Sequence, residues 1–171
     1  MKLLKINLLI LLSIPVFASA QNISDHTIGL RLGDSDGLGA EISYQKSLTS
    51  STRLEVNLGW RDSRAYDAFK IAGVYQWVLP LDGDFNWYYG VGGGLGNVDF
   101  EPRPIQGSAT NYEDVDGGLF VFGAGNLGIE YNFDFPLVLS LDIRPEIGIL
   151  GYSEFSDNFD FDIGFGIRYQ F

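Results

Sequence analysis

The chain contains no cysteine. That excludes a disulfide framework and any thiolate metal centre. It has a single histidine and a single methionine, the latter at position 1. Proline is scarce, at six residues. Positive charge is scarce too: 11 Lys and Arg stand against 22 Asp and Glu, for a net charge of -11. Such an acidic balance argues against nucleic acid as a partner, because that requires a basic surface. After the first twenty residues no apolar run approaches membrane-helix length; the longest lie near Val78–Leu81 and Pro136–Leu139. Roughly twenty consecutive apolar residues are needed for a spanning helix.

The abundant residues are glycine (22) and aromatics (13 Phe, 9 Tyr, 3 Trp), a mixture that argues for strands. The N-terminus is different in kind. Met1, Lys2 and Lys5 precede an apolar run from Leu8 to Phe17, and Ala18-Ser19-Ala20 follows. A charged n-region, an h-region and a small-x-small site form an export signal. The expectation is a signal peptide over 1–20, cleavage after Ala20, and one mature domain over 21–171.

The last thirteen residues read F-D-F-D-I-G-F-G-I-R-Y-Q-F. Phe159, Phe161, Ile163, Phe165, Ile167, Tyr169 and Phe171 alternate with Asp160, Asp162, Gly164, Gly166, Arg168 and Gln170. A period of two places these sets on opposite faces of a strand. The same pattern recurs upstream. Strands are expected at about 26–33, 38–45, 52–60, 68–79, 85–98, 118–133, 137–150 and 159–171. No charge falls on the apolar face of any of them as drawn. Two places fit badly. Phe120 and Phe122 fall on the polar face of the sixth strand, and Pro145 removes a ladder donor from the seventh, so a bulge is expected at each.

The expected connections alternate in length. Lys46–Ser51, Pro80–Asp84 and Asp134–Pro136 are short and share the end that carries both termini. Asp34–Gly37, Arg61–Asp67, Asp99–Gly117 and Gly151–Asn158 lie at the other end. The third is the longest, and the first is a tight D-S-D-G turn. Aromatics sort into two belts on this topology. Tyr44, Tyr75, Trp77, Phe85, Trp87, Tyr131, Phe133, Tyr169 and Phe171 lie near the terminal end; Trp60, Phe69, Tyr152, Phe159 and Phe161 lie near the other. Trp60, Tyr75, Trp77, Trp87, Tyr131, Tyr169 and Phe171 are the candidate girdle residues. Two girdles are expected where a barrel crosses a bilayer.

Eight alternating strands can close with either face inside. A lipocalin-like soluble binder buries its apolar face, whereas a membrane barrel exposes it. Strand length, the terminal aromatic, the two belts and the glycines on the polar face favour the membrane polarity. Gly90, Gly92, Gly94, Gly96, Gly164 and Gly166 would make room in a narrow lumen. The polar face then holds Arg31, Glu41, Arg53, Glu55, Lys70, Glu130, Asp142, Arg144, Glu146, Asp160, Asp162 and Arg168. Both signs in a space with little water predict a network of ion pairs, since an unpaired buried charge is costly. The expected lumen is plugged; a narrow channel for small solutes is the alternative.

Three motifs invite functional readings. Gly123-Ala124-Gly125-Asn126-Leu127-Gly128 matches G-x-G-x-x-G, but a dinucleotide site needs a following helix, and here a strand pattern continues. Asp34-Ser35-Asp36-Gly37 resembles the start of a calcium loop without the closing glutamate, so a turn is expected. Asp99, Glu101, Glu113, Asp114 and Asp116 make the far loops acidic, the pattern of a solvated loop, with weak divalent-cation binding beside lipopolysaccharide as the other reading. His26 lies at the terminal rim, and no base is in view for Ser153 or Ser156. No catalytic, cofactor or metal residue is assigned, and a lipid A-modifying enzyme is not favoured.

The export signal, the eight alternating strands and the closing G-I-R-Y-Q-F resemble the small outer-membrane β-barrel families, such as the OmpA transmembrane domain and OmpX. Asn86-Trp87-Tyr88-Tyr89-Gly90-Val91-Gly92 and Leu139-Ser140-Leu141-Asp142-Ile143-Arg144-Pro145-Glu146 look closer to a bacterial "outer membrane protein beta-barrel" family. The resemblance covers the whole mature chain. It implies an all-β, eight-stranded antiparallel up-and-down barrel in the bacterial outer membrane, non-enzymatic, with a structural or surface-contact role through its loops. Implied partners are outer-membrane lipid and lipopolysaccharide, and the barrel-assembly machinery through the C-terminal strand; any surface ligand is unknown. The family supplies no catalytic residues. No peptidoglycan-binding domain follows Phe171, so an anchor of the full-length OmpA kind is not expected.

Overall fold

Strands that alternate apolar and polar side chains must bury one face, and long ones leave unpaired edges unless the sheet closes. Closure is what the computed structural model shows. It describes residues 23–33, 39–62, 66–100, 103–104, 112–113, 117–151 and 159–171; the expected signal peptide and the D-S-D-G turn lie outside these. The strands are β1 (His26–Leu32), β2 (Ala40–Thr49), β3 (Thr52–Asp62), β4 (Tyr66–Asp82), β5 (Phe85–Phe100), β6 (Arg103–Pro104), β7 (Tyr112–Glu113), β8 (Gly118–Asn132), β9 (Leu137–Leu150) and β10 (Phe159–Gln170). Eight of them close a barrel in the order β1-β10-β9-β8-β5-β4-β3-β2, every neighbour antiparallel. The first and last strands seal it, with Thr27 opposite Gln170 and Leu32 opposite Phe165. The His26 N–H donates to the Phe171 carbonyl at 3.3 Å and the Phe171 N–H to the His26 carbonyl at 3.0 Å. At ~3.3 Å per residue β10 is roughly 40 Å long, or roughly 28 Å of height at a tilt of ~45°, close to the hydrocarbon thickness of a bilayer.

The hairpins at the terminal end are tighter than the polar composition of 46–51 and 80–84 suggests. β2 runs on to Thr49, with Lys46 opposite Leu54 and an irregularity between Ser47 and Thr49. β4 runs on to Asp82, with Pro80 opposite Asn86. Ladder partners were available in β3 and β5, and they outweighed the turn-like composition. Gly83 closes the β4–β5 hairpin at φ 54°, a left-handed conformation that glycine adopts without a Cβ penalty. At the far end the small β6–β7 ladder, with Arg103 opposite Glu113, sits within the stretch expected to be loop.

Two expectations need correction. There is no bulge at Pro145. β9 keeps one register against β8 from Gly148–Phe122 to Val138–Asn132, and Pro145 stands opposite Phe161 of β10. Gly125 leaves the room: a Cβ there would sit 3.1 Å from the Pro145 ring. The irregularity lies instead between Val121 and Phe122, close to the first awkward site. Phe120 and Phe122 are also not misplaced. They point into the barrel and are buried, with Ala72 and Ala124, as a small apolar cluster. Gly94 and Gly96 face these rings; a Cβ on Gly94 would lie 2.6 Å from the Phe122 ring tip and would also overlap the Ile71 carbonyl.

The barrel has the inverted polarity. Large apolar residues on its outer wall are 38–70% exposed, while charged residues of the opposite face are buried. From this packing, Gly94→Val should lower folding stability by about 1–3 kcal/mol through overpacking. Gly83→Asn, at an open turn where asparagine tolerates the left-handed region, should stay within about 0.5 kcal/mol. Urea unfolding in detergent micelles measures both.

Candidate functional site in the barrel lumen

Every second residue of each strand points inward, so the lumen gathers ions from β1, β2, β3, β4, β8, β9 and β10. Arg31, Arg144 and Arg168 are among the largest fully buried side chains of the described residues. Arg31 from β1 donates through Nη2 to Asp142 at 2.7 Å, lies 3.4 Å from Glu41, and pairs with Asp162. Arg144 from β9 reaches Glu41 at 3.2 Å and Glu55 at 3.1 Å. Arg168 from β10 lies 3.3 Å from Glu55. Arg53 pairs with Glu130 at 2.7 Å and Lys70 with Glu146 at 2.6 Å. Asp160 is half-buried at the far end of β10 and accepts a hydrogen bond from the Phe161 N–H at 2.7 Å.

Glu55 is the hub. Besides the two arginines it accepts hydrogen bonds from the Gln45 amide at 2.6 Å, the Gln76 amide at 3.1 Å and the Asn57 amide at 2.9 Å. Neutral polar groups carry the network between ion pairs. Gln76 also donates to Asn126 at 2.7 Å and accepts from Arg53 Nε at 2.6 Å. Asn126 donates to Asp142 at 3.2 Å and Asn86 to Glu130 at 3.2 Å. Arg168 donates to Ser43 at 2.9 Å and Ser140 at 2.7 Å. Sequence reasoning placed these amides and hydroxyls on the polar face but did not join them to the ions. Their shared strand parity with the charged residues was the available signal.

The arginines also lie against rings and glycines. Arg53 sits 4.8 Å from the Tyr88 ring centroid and Lys70 4.8 Å from that of Phe122, distances at which cation–π attraction operates. A Cβ on Gly164 would overlap the Arg31 guanidinium, and one on Gly166 the Ser140 hydroxyl and Arg168.

On the outer wall the aromatics meet in chains near the terminal end. Tyr75 packs edge-on to Trp77 at 4.8 Å, Trp77 stacks on Tyr89 at 5.2 Å, and Trp87 leans on Tyr89 at 5.6 Å. Phe85, Tyr131, Phe133 and Phe135 form a second chain, and Tyr169, Phe171, His26 and Tyr44 a third. At the other end Trp60 and Phe159 are exposed at 58% and 66%. Tyr152, Ser153 and Ser156 lie outside the described residues. The G-x-G-x-x-G stretch runs through the middle of β8. Gly128 there faces Tyr88, and no helix follows. His26 is held by Tyr44, its Nδ1 2.6 Å from the hydroxyl.

Removing Glu55 strands two buried arginines. Glu55→Leu should therefore cost about 3–5 kcal/mol of folding stability. Arg53→Met and Glu130→Leu should each destabilise, while the double variant recovers most of the loss, because a pair replaced by apolar residues leaves no stranded charge. A double-mutant cycle by urea titration in micelles reads the coupling.

Neither a protein-family model nor a curated protein matches this sequence. Solved structures do match. The N-terminal β-barrel domain of Pseudomonas aeruginosa OprF superposes with a TM-score of 0.61 at 10% identity, over 86% of this chain and 98% of that one. Neisserial surface protein A gives 0.56 at 13% identity, over 85% and 94%. A de novo designed transmembrane β-barrel gives 0.52 at 14% identity, over 90% and 100%. At such identities the likeness is one of fold: the chain is a closed, eight-stranded, all-antiparallel β-barrel similar to those of outer-membrane proteins.

Proposed function

We propose that this protein is a non-enzymatic integral barrel of the bacterial outer membrane. Its lumen is plugged and its far-end loops meet the cell surroundings. The observation that carries this reading is the inversion of polarity. Arg31, Glu55, Lys70, Asp142, Arg144 and Arg168 are at most 2% exposed, while the outer wall from Leu30 to Ile167 is apolar and open. In water that wall would be an exposed apolar patch far beyond what soluble monomers carry. Against acyl chains it is the favourable surface, and strand closure leaves no backbone group unpaired in hydrocarbon. Aromatic chains at the terminal end suit the headgroup level.

The short hairpins at the terminal end and the longer far-end connections fit an orientation with the termini in the periplasm. Export through the signal over 1–20 and delivery to the barrel-assembly machinery by β10 belong to the same reading. Lipid and lipopolysaccharide are then the surroundings of the wall. The ionisable groups of the lumen are engaged with one another across the bore, which supports a filled interior over a catalytic or conducting one. Eight strands enclose a space that side chains can fill. Passage of a hydrated ion would require several buried pairs to part together, each at a cost of a few kcal/mol.

The purified barrel, showing heat-modifiable gel migration as its fold control, should give no large, steady conductance in planar bilayers. A stable open level in most insertions would refute the plug. Deleting residues 102–114 should leave heat-modifiable folding intact and remove whatever surface contact the loop makes; a surface-binding phenotype that survives the deletion would argue against the loop role.

A further inference from the structure

The extension of β2 beyond its expected end places a lysine on the outer wall. Lys46 is exposed, with its parity set by its neighbours: Tyr44 and Ile42 face outward, Gln45 and Ser47 inward. Its cross-strand partner on one side is His26, on the other Leu54. His26 also faces outward, in step with Ile28 and Leu30. Lysine and histidine therefore stand side by side at the terminal rim, beside the aromatic chain of Tyr44, Phe171 and Tyr169.

The imidazole is prearranged. Its ring stacks on Phe171 at 5.5 Å and on Tyr44 at 5.9 Å, and Nδ1 lies 2.6 Å from the Tyr44 hydroxyl. With the phenol donating to Nδ1, the ring proton resides on Nε2. Nε2–H and the Lys46 ammonium are then two donors at one place on the wall. No carboxylate among the described residues pairs with Lys46. The nearby Asp25 carboxylate instead accepts from the Ser47 hydroxyl at 3.3 Å, on the inward parity. Elsewhere this rim is acidic, with Asp82, Asp84 and Asp134 all exposed. The rest of the rim repels an anion and this corner attracts one.

We propose that Lys46 and the Nε2–H of His26, positioned by Tyr44, bind the phosphodiester of a glycerophospholipid in the leaflet at the terminal end of the barrel. The inference rests on the membrane reading above. A long lysine stem reaching from an apolar wall to the headgroup level is ordinary snorkelling, and a cation there is attracted to anionic headgroups. The paired, oriented imidazole turns that attraction into a site.

The composition makes the test selective. The chain has one histidine, and Lys46 and Lys70 are its lysines after position 20. The barrel, labelled with ¹⁵N-histidine and ¹⁵N-lysine, is folded into phosphatidylglycerol bilayers in phosphate-free buffer. Dephasing of each ¹⁵N signal by ³¹P is then measured. His26 Nε2 and Lys46 Nζ should dephase several-fold more than Lys70 Nζ, which is buried in the lumen. Lys46→Gln should reduce the His26 effect, and Tyr44→Phe should reduce it while sparing Lys46. Dephasing at His26 and Lys46 no greater than at Lys70, in a heat-modifiable barrel that co-sediments with the bilayers, would overturn the proposal alone. Equal dephasing in lipid-free micelles given inorganic phosphate would overturn the lipid assignment in favour of a free anion. A protein that never enters the bilayer would instead remove the membrane reading beneath it.

Discussion

The Glu55 carboxylate holds the interior together. It sits at 1% exposure between Arg144 and Arg168, with amides of Gln45, Asn57 and Gln76 on the same two oxygens. These partners come from β2, β3, β4, β9 and β10, so one charge ties together strands from both ends of the chain. In a medium of low dielectric an unpaired ion costs several kcal/mol. The register of each strand is therefore locked to its ions. A slip of β10 by one residue would turn Arg168 and Asp162 toward the wall and phenylalanines into the bore.

The bore itself is divided. One sector, from β1, β2, β3, β9 and β10, is ionic. The other, toward the far end of β4, β5 and β8, is apolar, with Ala72, Phe120, Phe122 and Ala124 packed together. Glycines of β5 accept the two rings, and Lys70 bridges the sectors by pairing with Glu146 while lying over Phe122. Side-chain volume, more than charge, explains why β5 has glycine at 90, 92, 94 and 96. Bulky rings on β8 and branched or amide side chains on β4 occupy the space that β5 vacates.

Much of this was legible in alternation alone. The period of two in β10 and β9 gave the barrel, its strand count and which residues share the lumen. Strand ends were less legible, because Gln45–Ser51 and Pro80–Asp84 carry turn-like composition while ladder pairing decides where a hairpin closes. Lys46 was lost to view for that reason. Pro145 and Phe122 misled because composition rules treat each residue singly. In the barrel, Gly125 makes space for the proline ring, and Gly94 for the phenylalanine. Which cation meets which carboxylate was not legible at all. Arg31 finds Asp142, more than a hundred positions away, only because closure brings β1 beside β10 and β9.

Inversion of the barrel is the central claim, and labelling with a lipid-soluble carbene probe tests it most directly. With the protein in bilayers, photolysis and peptide mapping should place adducts on Leu141, Ile163 and Phe165 and leave Glu55 and Arg144 unmodified. Adducts absent from those three wall residues, with Glu55 and Arg144 open to water-soluble reagents on the native protein, would contradict it.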